Sequence, residues 1–278
     1  MSNISDRAHR FGYTGLAGTE DYTNTDWAWE FLRENVSFVE ACEEADECFS
    51  TERKGNGVTL IRERRPSPLL EFGIRYCSAP GIEARQAIVM WIPEWCPKVA
   101  RMYAICGCRS LARRATFDLY TAKCKAINLI AADGVQHVLF QEEGRSFQLK
   151  VCGAPLVEPV YLFAEAAGIK GDEQNYLWAS RCFEHLRQTG RLPLERFTPY
   201  ARSLRMSEML HAYRLNKTYR LNRPQSGSII HSVAVGLYGR DKVGQLQLNP
   251  HSGLRDHVRN TIDAAEKFVA WKYRELLL

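Results

Sequence analysis

A chain of 278 residues with 45% apolar and 25% charged side chains is long enough for one large or two ordinary domains and for a proper buried core. No apolar run approaches the ~18 residues of a membrane span, and Met1–Arg10 lacks the apolar centre of a signal peptide. The expectation is a cytoplasmic protein with no membrane partner. The net charge of +5 hides an asymmetry: residues 1–60 carry 5 Lys+Arg against 12 Asp+Glu, and residues 191–278 carry 15 against 7. A basic C-terminal third suits a polyanion, and an acidic N-terminal segment suits a protein partner.

In chain order, residues 1–24 are polar and Gly-rich and read as a loose arm. Thr25 or Asp26 is expected to cap a helix running to about Cys48, with Trp27, Phe31, Phe38 and Ala41 near one face and Trp29 and Leu32 beside them. Its far end is strongly acidic, which the helix dipole disfavours. Lys54–Gly57 is a turn, Val58–Arg62 a short strand, and Arg62–Arg65 before Pro66 reads as a linker. Leu69–Tyr76 and Gln86–Trp91 have strand character, and the continuously apolar Ala87–Ile92 reads as a core strand. Residues 101–114 carry no clear pattern.

From residue 126 the pattern sharpens. Ala126–Ala131, Gln136–Gln141 and Ser146–Val151, separated by Asp133-Gly134 and Glu142-Glu-Gly144, predict a three-stranded antiparallel meander. His137 stands alone inside it and is assigned a structural role. Val157–Ala167 reads as a helix. Asp172–Thr189 reads as another, burying Tyr176, Leu177, Ala179, Phe183 and Leu186 and stopping at Gly190.

The C-terminal stretch Ala201–Leu278 reads as three helices. They are Ala201–Leu215, then Ser228–Leu237 closed by Gly239, then a helix capped by Ser252 and running through Trp271, with Arg240–Pro250 as a connector. Leu254, Val258, Ile262, Ala265, Phe268 and Val269 form one apolar stripe on the last helix, which turns Arg255, Arg259 and Asn260 outward near its start. A short helix, a turn and a longer helix opening with arginines is the pattern of a helix-turn-helix reader of the major groove. Arg255 and Arg259 are the candidate base-reading residues, with Asn260 and His251 beside them and Ser252 offering its hydroxyl and the helix start to a phosphate. Arg240, Lys242, Arg220 and Arg223 are candidate backbone contacts. An ordinary three-helix bundle with a solvated basic face fits the same pattern.

No motif asks for catalysis or a cofactor. The P-loop, dinucleotide, nucleophile-elbow and H-E-x-x-H patterns are all lacking, and no catalytic residue is assigned. Asp256 and Asp263, seven residues apart, read as solvated charges. The nine cysteines are scattered without a C-x-x-C pair, and Cys106-Gly-Cys108 is too closely spaced for a usual zinc knuckle, so no metal site is expected.

Trp27-Ala-Trp-Glu-Phe-Leu-Arg-Glu-Asn35 resembles the N-terminal signature of alphaproteobacterial transcriptional-regulator-like proteins. Asp133–Leu139, Gln148–Gly153, Val233–Gly239, Leu254–Arg259 and Tyr273–Leu277 resemble, in order, segments of their associated domain of formerly unknown function. The resemblance implies a transcriptional activator of genes for excision and conjugative transfer of an integrative and conjugative element. It also implies a small antiactivator partner built from the same domain. Where that family usually carries a Trp between the second and last helices, this chain has Lys242–Leu248, and Leu246 is expected to fill the space.

Together these readings give an α+β protein with an N-terminal helix, small antiparallel sheets and a C-terminal helix-turn-helix three-helix bundle. Its segments are an acidic arm with a Trp-rich helix (1–60), mixed strands (61–115), a meander with helices (116–190) and a DNA-binding domain (191–278). The expected partners are double-stranded promoter DNA, RNA polymerase and the antiactivator, with Trp27, Trp29, Glu30, Arg33, Trp271 and Tyr273 as candidate protein contacts. The alternative is an antiactivator-type regulator whose helix-turn-helix does not read DNA and whose interface centres on Trp271 and Tyr273.

Overall fold

The computed structural model describes residues 11–54, 57–106, 116–164, 173–193, 200–222, 228–247 and 253–278. Its α-helices, in chain order, are α1 (Asn24–Leu32), α2 (Val36–Ala45), α3 (Glu173–Thr189), α4 (Tyr200–Leu221), α5 (Ile229–Tyr238), α6 (Arg240–Gln247) and α7 (Leu254–Ala270). Its strands are β1 (Phe49–Arg53), β2 (Val58–Glu63), β3 (Ile74–Cys77), β4 (Val89–Trp91), β5 (Ala100–Cys106), β6 (Lys125–Ile130), β7 (Gln136–Glu142), β8 (Arg145–Gly153) and β9 (Val160–Ala164). The chain divides into two compact units, Met1–Asn35 with Arg196–Leu276, and Val36–Glu195 with Leu277–Leu278.

The second unit is built on one seven-stranded sheet in the order β1-β2-β6-β7-β8-β5-β9. The predicted meander is its centre: β6, β7 and β8 pair antiparallel, with Ile127 opposite Leu139 and Val138 opposite Leu149. The sheet is larger than the small antiparallel sheets expected, and it is mixed, because β2 joins β6 and β5 joins β8 in parallel. Period-two alternation divides the side chains between two apolar layers. Ala126, Val138, Phe140 and Leu149 join Cys182 and Leu186 of α3 in one layer. Ile61, Ile127, Leu129 and Leu139 face the other, with Met90 and Tyr76 of the separate β3–β4 ladder. Gln148 fastens the second layer, accepting from the Trp91 N–H at 2.9 Å and donating to its carbonyl at 2.7 Å.

Several local expectations change in this unit. Val157–Ala167 reads as a helix, yet Val160–Ala164 is the edge strand β9: Val160, Tyr161 and Phe163 favour a strand, and antiparallel pairing with β5 provides its partner. Residues 165–167 lie outside the described set. Leu69–Tyr76 divides into a 3-10 turn over Pro68–Phe72, stopped by Gly73 at φ 76°, and strand β3. Only Val89–Trp91 of the predicted core strand pairs, and the unpatterned 101–114 begins with strand β5. The expected strand Val58–Arg62 forms and β2 runs one residue further, taking Glu63 from the expected linker; Glu63 is buried, with an oxygen 2.7 Å from the Arg75 guanidinium. Leu186 is buried and Phe183 packs beside it, while the side chains of Tyr176, Leu177 and Ala179 lie outside the described set.

In the first unit the described part of the expected loose arm, from Phe11 on, contributes to the core. Phe11 and Tyr13 pack with Val233, Leu237 and Tyr238, and Tyr22 lies 5.1 Å from the Trp27 ring centre. Thr23, not Thr25 or Asp26, caps α1: it exchanges bonds with Asp26 in a capping box. The expected single helix to Cys48 is interrupted at Arg33–Asn35, where the Asn35 side-chain amide donates to the Val269 carbonyl at 3.0 Å instead of the chain continuing helically.

Candidate nucleic-acid interface

Among the described residues the basic C-terminal stretch forms four α-helices where three were expected. α4 extends six residues past Leu215 to Leu221. α5 lies one residue further along at each end than the expected Ser228–Leu237, with Ser228 as its cap. Ser228 accepts from the His231 N–H at 3.2 Å at one end, and Gly239, at φ 83°, ends the helix at the other. Gly236, inside α5, stands where a Cβ would come within 2.7 Å of the Leu215 side chain, so glycine there permits the close crossing of α4. The predicted connector is instead largely α6, which starts at Arg240 directly after Gly239. It is anchored by buried Val243, and Leu246 packs on the same cluster.

α7 follows. Its N-cap is Gly253, in the left-handed conformation at φ 62° with no side-chain cap bond, not Ser252. Leu254, Val258, Ile262, Ala265 and Val269 are buried as the stripe predicts. Arg255, Arg259 and Asn260 are exposed on the first two turns. Arg259 retains 52% side-chain exposure and sits 3.5 Å from Asp256, which is itself open to solvent. Asp256 and Asp263 both face outward, as expected of solvated charges.

The candidate backbone contacts are less uniform. Arg240 is exposed. Arg220 is exposed and 3.3 Å from Glu266. Lys242 is half-buried, and its ammonium lies over Gly12, at the place a Cβ there would take. Ser252, His251 and Arg223 lie outside the described residues.

Beneath α7 lies a polar cluster that the sequence reading missed. Glu208 of α4 is fully buried. Its carboxylate accepts from the Tyr238 hydroxyl of α5 at 2.5 Å and from His257 Nε2 of α7 at 3.0 Å, and it pairs with Arg205. Arg205 also donates to the Thr261 hydroxyl at 3.0 Å. Burial pushes the Glu208 carboxyl upward, but the bonds from His257 and Tyr238 and the charges of His257 and Arg205 more than offset this and hold it below the ordinary carboxylate value. The Tyr238 phenol moves the other way, raised by burial and by the Glu208 charge. The signal was present in the sequence: Glu208 sits four residues from both Leu204 and Ala212 on an otherwise apolar stripe.

The candidate protein contacts divide sharply. Trp27 and Trp29 are buried, which removes them as an outward surface. Glu30 is buried too and is structural: it accepts from Arg33 at 3.0 Å and from Arg214 of α4 at 3.0 Å, and Arg33 is taken up in that pairing. Tyr273 is buried in a 3-10 turn, Lys272–Leu276, that packs on α1. Trp271 alone remains open, at 51% exposure, with the Lys272 ammonium 5.5 Å above its ring. The corrections at Trp27, Trp29 and Tyr273 share one cause: a small unit must bury its largest aromatic side chains to close its core.

Among the described residues, no group of three or more His, Cys, Asp or Glu is placed to hold a metal ion, and no helix is long and apolar enough to cross a membrane. No protein-family model matches the chain, and no curated protein matches it.

Proposed function

We propose that this protein is a sequence-specific DNA-binding transcription activator that reads the major groove with the first two turns of α7. The observation that carries the reading is the division of α7 itself. Its apolar stripe is buried against α4 and α5, while Arg255, Arg259 and Asn260 stand exposed at its start. Groove-reading helices present side chains from that end. Arginine is the residue best suited to grip a guanine edge with two bonds, and asparagine does the same for adenine. Arg240, exposed at the start of α6, supplies a phosphate contact.

The regulated genes are those for excision and conjugative transfer of an integrative and conjugative element. This narrower reading rests on the segments around Trp27, Asp133, Gln148, Val233, Leu254 and Tyr273 that resemble such activators. RNA polymerase and a small antiactivator of the same domain type are the protein partners it implies. The antiactivator-type alternative keeps one supporting feature, exposed Trp271.

A gel-shift series on the full chain, run at several salt concentrations, separates the two readings. Sites selected from a random duplex library should bind more tightly than scrambled duplexes, with affinity falling steeply as salt rises. Binding equally weak to all duplexes would overturn the activator reading.

A further inference from the structure

A helix packed only through aliphatic side chains is held in place but weakly fixed in rotation, because apolar contacts have little directionality. α7 is held differently at its base-reading end. His257 and Thr261, four residues apart, lie one turn above the other on its buried side. Both are tied to α4, His257 directly to Glu208 and Thr261 through Arg205. Glu208 also takes the hydroxyl of Tyr238, so a single carboxylate joins α4, α5 and α7. Phe11 covers the arrangement, its ring centre 4.7 Å from that of His257. His257 lies two residues from Arg255 on one side and two from Arg259 on the other. Any rotation of α7 that displaces His257 therefore swings both arginines.

We propose that Glu208 is a positioning residue for base recognition: by holding His257 and, through Arg205, Thr261, it sets the rotation of α7 about its axis and so the direction in which Arg255 and Arg259 leave the helix. This rests on the DNA-reading function above and adds a distinct claim to it. Buried ion pairs contribute little net stability compared with apolar replacements, and their best-attested use is to select one arrangement among several. Directional bonds to a fully buried carboxylate are costly to leave unmade, which makes a rotated α7 unfavourable.

The consequence is a separation of two kinds of binding. Non-specific affinity depends on how many cations reach phosphates, and the surface cations are untouched by Glu208. Base reading depends on alignment with guanine edges. Glu208→Gln in the full chain should therefore reduce the preference for a library-selected duplex over a scrambled one by about tenfold or more, the loss expected when one paired base contact is misaligned. Affinity for the scrambled duplex, and its salt slope, should stay as in the wild type. Amide exchange at residues 257–261 should accelerate, with exchange in β6–β8 unchanged.

Tyr238→Phe, which deletes one donor and keeps the carboxylate, should show the same separation to a smaller degree, and it decides the matter if Glu208→Gln does not fold. An unchanged preference with unchanged exchange at 257–261 would overturn the proposal. So would equal losses on selected and scrambled duplexes. If the wild type itself prefers no duplex, the function proposed above falls, and the exchange measurement alone decides whether Glu208 orients α7.

Discussion

His137 offers a test of how the sheet unit responds to acid. It is buried on β7, and burial first, then the charges of Arg75 and Lys150, lower its pKa to about 4, against smaller opposing effects from Asp133 and Glu94. In the unfolded chain the ring titrates near 6.5. As pH falls through 6.5 the unfolded chain takes up a proton that the folded protein refuses until near pH 4, so stability falls over that window and levels off below it. The difference of about 2.5 pH units corresponds to roughly 3 kcal/mol lost between pH 7 and pH 4. His137→Gln removes the titrating group and keeps a polar side chain of similar length. Urea unfolding of both proteins at intervals from pH 7 to pH 4, followed by the sheet signal in circular dichroism, cancels the carboxylates common to the two. The wild-type curve should fall more steeply, by about 3 kcal/mol across the window. Parallel curves, or a His137 ring that titrates near 6.5 by nuclear magnetic resonance, would refute the reasoning.

Three further outcomes follow from particular contacts. Ser228→Ala removes the cap of α5 and should cost about 1 kcal/mol of stability in urea unfolding, with no change in the sheet unit. Gly153→Ala should lower the melting temperature and loosen β5 from β8 in amide exchange, because at φ 97° its Cβ would run into the Ala104 carbonyl. Arg255→Ala should weaken a selected duplex by ~1–3 kcal/mol while relaxing base choice at one position, whereas Arg240→Ala should weaken all duplexes alike in gel shifts.

Where one local signal sufficed, the sequence announced the structure. The strands of the meander follow from Val138 and Phe140 alternating with Leu139 and from the Asp133-Gly134 turn. α5 follows from Ser228 and Gly239, and the buried side of α7 from Leu254, Val258 and Ile262. The elements that stayed hidden depend on partners far away in the chain. β2 lies parallel to β6 across more than sixty residues, with Val58 beside Ala126, and no local pattern encodes that pairing. β9 carries the strand formers Val160, Tyr161 and Phe163, but the Glu- and Ala-containing stretch around it reads as a helix, and only the pairing with β5 far away in the chain settles it as a strand. α6 carries only Val243 and Leu246 as apolar anchors among charged residues and glycine, too few for a periodic stripe. Of the candidate interface, Arg255, Arg259 and Asn260 were legible because the apolar stripe fixes what faces away from it. The fate of Trp27, Trp29 and Tyr273 was not, since an aromatic residue reads the same whether it anchors a core or waits for a partner.

The carboxylates on α7 bear directly on the DNA-reading proposal. Asp256 and Asp263 share the outward side with Arg255, Arg259 and Lys267, so the helix as a whole is no cationic rod. The Arg259–Asp256 pair decides whether this matters. It is a single exposed contact at 3.5 Å, and such pairs contribute about 0–1 kcal/mol. A bidentate guanine contact discriminates by ~1–3 kcal/mol, so Arg259 gains by leaving Asp256 for a base edge. Asp263, two turns further along, would bring negative charge toward the phosphates if the helix lay flat along the groove. On the proposed DNA-reading function the favourable pose would be end-on, with Arg255 and Arg259 inserted and the rest of α7 rising away from the duplex. Under the same proposal, that pose would leave its rotation, and hence the bonds beneath His257, as the variable on which base recognition depends.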